Sequence, residues 1–147
     1  AVVDVIDRFL KIIKPCKIFL GEKDMQQLKI IEEFIKRNKI NTKVVSCKTI
    51  RERNGLAYSS RNLLLSSKAK KIASNIYKLL SRNKRDLIKK KILLKEIKNK
   101  ILKFGTKKID YIKILDVNKL IRPYKQNIRC KIFIAYYLNS TRLIDNI

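Results

Sequence analysis

The sequence predicts an α/β protein: a helix–strand–helix–strand segment followed by a small α+β lobe with an antiparallel sheet. Three observations predict it. Two short apolar runs, residues 17–20 and 43–47, flank a stretch with apolar residues at helical spacing, the alternation that builds parallel sheets. After about Lys48, two helical stretches come before any further strand. The last two strand candidates are separated only by Asn139-Ser140, short enough for a hairpin, and Asn tolerates the positive φ such a turn requires.

Val3, Ile6, Phe9, Leu10 and Ile13 recur at helical spacing and predict a first helix with these residues inward. Asp4 with Arg8, and Asp7 with Lys11, form i,i+4 pairs on its other side, and Pro15 stops it. Residues 17–20 suit a buried parallel strand, broken by Gly21. A second helix is expected over residues 25–37, with Leu28, Ile31, Phe34 and Ile35 inward and Glu32–Lys36 and Glu33–Arg37 as surface pairs. Residues 43–47 read as the next strand. The segment opens on a helix, so the first strands of its sheet are expected elsewhere.

Residues 50–62 are polar, with a turn signal at Asn54-Gly55. Ser66 or Ser67 can cap a helix that carries Ile72, Ala73, Ile76, Leu79 and Leu80 on one face. A further helix is expected over residues 85–102, striped by Leu87, Ile88, Ile92, Ile97 and Ile101, with Gly105 just past its end. Strands are expected over residues 109–115, 130–138 and 141–145. The domain division expected from this order is residues 1–48 and residues 49–147.

At 147 residues and 46% hydrophobic content the chain can fill one core or two small lobes. It has no run of about 18 apolar residues, so no membrane-spanning helix is implied. Cys16, Cys47 and Cys130 are widely spaced and odd in number; with no histidine in the chain, they predict reduced thiols in a cytoplasmic protein rather than a zinc site. The formal charge of +25 would attract polyanions. Yet the chain has 27 Lys, 24 Ile and 11 Asn, all with A/T-rich codons, so the lysines read as compositional bias spread over solvent faces. Aromatic residues are not interleaved with the cations as in a single-strand binder. Salt-sensitive adhesion to polyanions is expected, and specific nucleic-acid recognition is not.

Two segments carry chemistry. In FLGEKDMQQL a glycine follows a strand directly, and the helix start after it offers free N–H groups and a partial positive charge. Lys23 adds a mobile cation suited to phosphate, and Asp24 can accept from ribose hydroxyls. The alternative is structural: Asp24 with Gln27 fits an N-terminal capping pair. In RERNGLAYSSRN, Arg51, Arg53 and Arg61 offer forked donors, and Ser59 and Ser60 offer shorter ones, on a loop with an Asn-Gly turn. Here the alternative is a surface loop in a cation-rich protein.

These two segments, in this order and at this spacing, resemble the second half of the pantothenate synthetase (pantoate–β-alanine ligase) family. The resemblance runs from about Val2 to Asn146 and includes the RLIDN ending, which reads as a folding element. It implies the tail of a Rossmann-like nucleotidyltransferase domain followed by the family's C-terminal lobe. It also implies ATP-dependent joining of pantoate and β-alanine through a pantoyl-adenylate, with Mg²⁺ accompanying ATP. Carried over, Gly21, Glu22, Lys23 and Asp24 line the ATP site, with Lys23 at phosphate and Asp24 at ribose. Gln27 contacts pantoate and Ile50 the adenine region, while Tyr58, Ser59, Ser60 and Arg61 stand in the KMSKS-like loop.

Two departures matter. Tyr58 stands where the family usually has Leu or Met. The family's HxGH-type histidine motif and its first strands precede the region matched, so no catalytic residue is assigned in this chain and it is expected to be inactive alone. The resemblance further implies a cytoplasmic homodimer for the full-length enzyme. The alternative function is a non-catalytic, truncated basic domain with adventitious nucleic-acid binding; another adenylating enzyme, such as a tRNA ligase, fits the Gln27 spacing and the RLIDN ending less well.

Overall fold

The computed structural model describes residues 2–121 and 129–147. The chain divides after Thr49 into two compact units.

In the first unit, α1 (Val2–Ile13) leads through Pro15 to β1 (Lys17–Gly21), a 3₁₀ turn (Glu22–Asp24), α2 (Met25–Arg37) and β2 (Lys43–Cys47). Lys14 at φ 47° ends α1 one residue before the proline. β1 and β2 pair in parallel, Lys17 beside Lys43 through Gly21 beside Cys47. Leu10, Ile31 and Ile35 form the buried centre, and Ile18, Leu20 and Val44 reach it from the strands, so both helices cover the same sheet face. The strand alternation sends Phe19 to the opposite face, where it is 65% exposed.

This corrects two expectations. β1 is not buried on both faces, and in α1 Phe9 and Ile13 lie at the surface rather than inward. Helical spacing marks an apolar stripe but not its cover; α1 presents more apolar surface than α2 and β1 can hide. Of the expected pairs, Arg37 bonds Glu33 at 2.7 Å and Lys11 bonds Asp7 at 2.6 Å, whereas Glu32 pairs with Lys29 at 2.7 Å.

The second unit holds a 3₁₀ turn (Ser60–Leu64), α3 (Ser67–Ile88), α4 (Leu94–Lys103), β3 (Lys108–Asp116), β4 (Cys130–Leu138) and β5 (Thr141–Asn146). The strands form an antiparallel sheet in the order β3-β4-β5. Asn139 adopts φ 53° in the β4–β5 turn, as expected of that hairpin. Ser66 caps α3, its Oγ accepting from the Ala69 amide at 3.2 Å. α3 runs on to Ile88, past the predicted break near Arg85, because Leu87 extends the buried stripe of Ile76 and Leu80. Lys90 at φ 56° then ends it, and Gly105 at φ 95° follows α4. Ile76, Leu80, Leu87, Ile97 and Ile101 pack on Ile132, Ile134 and Leu138 in one continuous core.

Candidate active site

The candidate residues fall in both units, and each group is built within its own.

In the first unit they gather at the carboxyl ends of the two parallel strands, where α/β sheets place their ligands. Gly21 closes β1 beside Cys47 of β2. A Cβ added at Gly21 would meet nothing within 4 Å, so packing does not demand glycine there and the space above the strand end is open. Glu22, Lys23 and Asp24 form the 3₁₀ turn that leads into α2. The Asp24 side chain makes no cap hydrogen bond, which removes the capping-pair alternative. Gln27 lies exposed on the first turn of α2. The Glu22 carboxylate accepts from Ser46 Oγ at 3.4 Å, joining the turn to β2. Ser46 carried no signal in the sequence; the parallel pairing alone brings it here.

In the second unit, the loop from Ile50 to the 3₁₀ turn folds back on itself. Arg51 bridges Ala57, and the Tyr58 amide donates to the Ile50 carbonyl at 3.0 Å. Ile50 and Tyr58 present exposed side chains. Ser59 caps the turn, its Oγ accepting from the Arg61 amide at 3.3 Å. Ser60 and Arg61 lie toward the surface, and Arg61 Nη1 donates to the Arg142 carbonyl at 3.3 Å. Arg142 in turn bonds Asp110 at 2.7 Å; its guanidinium holds the Asp110 carboxyl below the usual range, and Asp110 holds Arg142 above its own.

Arg51 is not a phosphate donor. Its guanidinium grips Asp145 bidentately at 2.7 and 2.9 Å and donates to the carbonyls of Gly55 and Asn146 at 3.1 and 3.0 Å. It also stacks 4.3 Å from the Tyr77 ring centre. The two side chains of the ion pair are 18% and 10% accessible, so both terminal nitrogens of Arg51 are committed inside the unit. Gly55 sits at φ 92°, and a Cβ there would come within 2.2 Å of the Tyr77 ring, which leaves glycine the only fit. Arg53 lies in the turn beside it. The RLIDN ending lies in β5, which supplies Asp145 to Arg51 and Arg142 to Asp110.

Among the described residues no group of three His, Cys, Asp or Glu side chains could hold a metal ion, and no helix is long and apolar enough to cross a membrane.

A family model for pantoate-beta-alanine ligase matches residues 1–147. The chain belongs to the pantoate–β-alanine ligase family. It is 40% identical over 147 residues to the pantothenate synthetase of Clostridioides difficile (strain 630), covering 97% of this chain and 52% of that protein. It is 39% identical over 152 residues to that of Azobacteroides pseudotrichonymphae genomovar. CFP2, covering 99% and 54%. Among solved structures it resembles the Francisella tularensis pantoate-beta-alanine ligase complexed with beta-gamma ATP and beta-alanine, with TM-score 0.79, 36% identity, and 99% and 48% coverage. The Thermus thermophilus pantothenate synthetase matches with TM-score 0.83 at 27% identity over 99% of this chain and 54% of that one. The chain thus spans about half the length of the curated relatives it matches.

Proposed function

We propose that this chain is the part of a pantoate–β-alanine ligase that binds ATP phosphates and pantoate, in an enzyme that forms pantothenate through a pantoyl-adenylate. The observation that carries the reading is the turn Glu22–Asp24 at the carboxyl end of paired parallel strands, with open space above Gly21 and no capping role for Asp24. In this reading the first unit is the tail of a Rossmann-like nucleotidyltransferase domain and the second its C-terminal lobe. The relative solved with an ATP compound and beta-alanine supports the substrate class.

Lys23 meets a phosphate oxygen, Asp24 the ribose and Gln27 pantoate, while Ile50 borders adenine and Tyr58, Ser59, Ser60 and Arg61 close on the phosphates. Mg²⁺ would arrive on ATP and neutralise phosphate charge, held by the phosphates and water, since among the described residues no three carboxylates gather to hold it. The 147 residues contain no histidine, so the family's HxGH-type motif is not among the groups this chain supplies. The whole enzyme, in this proposal, is a cytoplasmic homodimer. No observation favours the non-catalytic alternative.

The test follows AMP with Mg²⁺, ATP, pantoate and β-alanine. We expect no turnover from the chain alone and measurable turnover when the N-terminal half of a related synthetase is added. In that mixture Lys23→Ala should lower kcat/KM for ATP at least about tenfold, since a charge-assisted phosphate contact is worth about 1.5–3 kcal/mol. Unchanged kcat/KM would return Lys23 to an ordinary surface role.

A further inference from the structure

The 3₁₀ turn that carries Ser60 and Arg61 buries one side chain, that of Asn62, which is 4% exposed. Its neighbours Leu63 and Leu64 are 85% and 74% exposed, so apolar packing does not seat them. A 3₁₀ turn this short holds its shape weakly by backbone bonds alone. Leu65, buried in the core, anchors the end of the turn, and the Asn62 amide anchors its middle. Its Nδ2 donates to Glu52 Oε1 at 2.9 Å and to the Ala57 carbonyl at 3.1 Å. Its Oδ1 is buried with no partner. The two acceptors fix the orientation: a flipped amide would set Oδ1 against a carboxylate and a carbonyl, two acceptors facing a third.

Glu52 is itself held. Its Oε2 accepts from Asn54 Nδ2 at 3.2 Å, and its backbone closes the hairpin, accepting from Gly55 N and donating to the Leu56 carbonyl, both at 2.8 Å. Ser74 of α3 donates to the Asn54 carbonyl at 2.7 Å and anchors the hairpin to the core helix. A continuous chain of bonds therefore runs from α3 through the hairpin and Glu52 to Asn62. A carboxylate beside a phosphate-binding loop is otherwise unfavourable; here both of its oxygens are occupied by amide donors.

We propose that Asn62 is the positioning residue of the phosphate clamp: its two N–H groups fix the turn bearing Ser59, Ser60 and Arg61 against the Glu52 hairpin. Presentation of the phosphate donors then depends on a side chain that touches no phosphate. This rests on the reading of Ser59–Arg61 as the clamp, and the test separates the two.

Asn62→Asp keeps the shape and turns the donor into an acceptor facing Glu52. Combined with Glu52→Gln, it regenerates one hydrogen bond with the roles exchanged. Two readouts are taken on the whole chain: amide hydrogen exchange, and Mg-ATP titration followed by amide chemical shifts at Ser59–Arg61. Asn62→Asp should speed exchange over residues 60–65 at least about tenfold, leave Ile132 and Ile134 unchanged, and weaken Mg-ATP at least about fivefold, the loss expected when a buried hydrogen bond is replaced by two facing acceptors. The double variant should recover part of both, since the Ala57 carbonyl still faces an acceptor. Unchanged exchange over residues 60–65 in Asn62→Asp, or a double variant as loose as the single, overturns the proposal. If Asn62→Asp does not fold, Glu52→Gln alone should speed the same exchange, and its failure to do so counts equally against it. A wild-type chain whose Ser59–Arg61 amides ignore Mg-ATP overturns the clamp reading, while the exchange rates still decide the tie.

Discussion

In the second unit two helices lie on a three-stranded sheet, and one buried cluster runs from Leu56 to Leu143. In the first, two helices lie on one face of a two-stranded sheet, and the buried cluster is Leu10, Ile31 and Ile35. Val5, Phe9, Ile12, Ile13 and Phe19 of the first unit are all more than half exposed. The contrast locates the origin of each unit's stability. A two-stranded sheet is marginal alone, and three strands with a covered face can sustain themselves. The second unit thus presents its loop residues on a three-stranded sheet with a covered face. The first presents its turn on a two-stranded sheet whose other face, at Phe19, is exposed within these residues.

That contrast is most easily disturbed at the core. Leu80 is fully buried, so Leu80→Ala should cost about 2–5 kcal/mol in urea unfolding followed at the β4 amides, with little change at α2. Equal loss in both units would show that they unfold as one. Next comes the ion pair. Asp145→Asn leaves Arg51 without its carboxylate and should cost about 2–3 kcal/mol, with faster amide exchange at Ala57 and Tyr58.

A pH titration tests the same closed core. Burial, with the Asp145 charge beside it, pushes the Tyr136 hydroxyl well above its ordinary range. The folded state therefore keeps a proton that the unfolded state releases. The stability this gives is full below about pH 10, where an unfolded tyrosine ionises, and is lost above it at up to about 1.4 kcal/mol per pH unit. Tyr136→Phe should flatten that alkaline decline; an unchanged slope would assign it to other groups. The smallest effect belongs to the first unit. Ile12 is 80% exposed, and Ile12→Ala should change stability by less than about 0.5 kcal/mol. A larger loss would mean that the face is covered in solution.

Much of the fold was legible. α2, β2 and β4 fall on the residues expected of them, because apolar period and turn residues are local signals. The overrun of α3 was not, since Leu87 fits either helix until the sheet shows which one covers it. At the site, the Glu22–Asp24 turn after a strand could be read directly. Arg51 could not: an arginine in a basic loop looks like a phosphate donor until Asp145, ninety-four residues away, claims it. The Asn62–Glu52 tie is local, ten residues apart, but nothing in the sequence marks that asparagine as buried.

The order of elements, the two chemistry-bearing segments and the likeness to the ligase family follow from the amino-acid order alone, because they rest on neighbours along the chain. Folding in three dimensions settled the rest: which apolar faces are covered, that Arg51 serves the fold and Arg61 lies at the surface, and that the Asn62 amide is buried against Glu52 and Ala57. The arginine contacts depend on pairings between loop and strand far apart in sequence, and the asparagine on how its own loop folds back. A side chain's role is set by the partners that the fold brings to it.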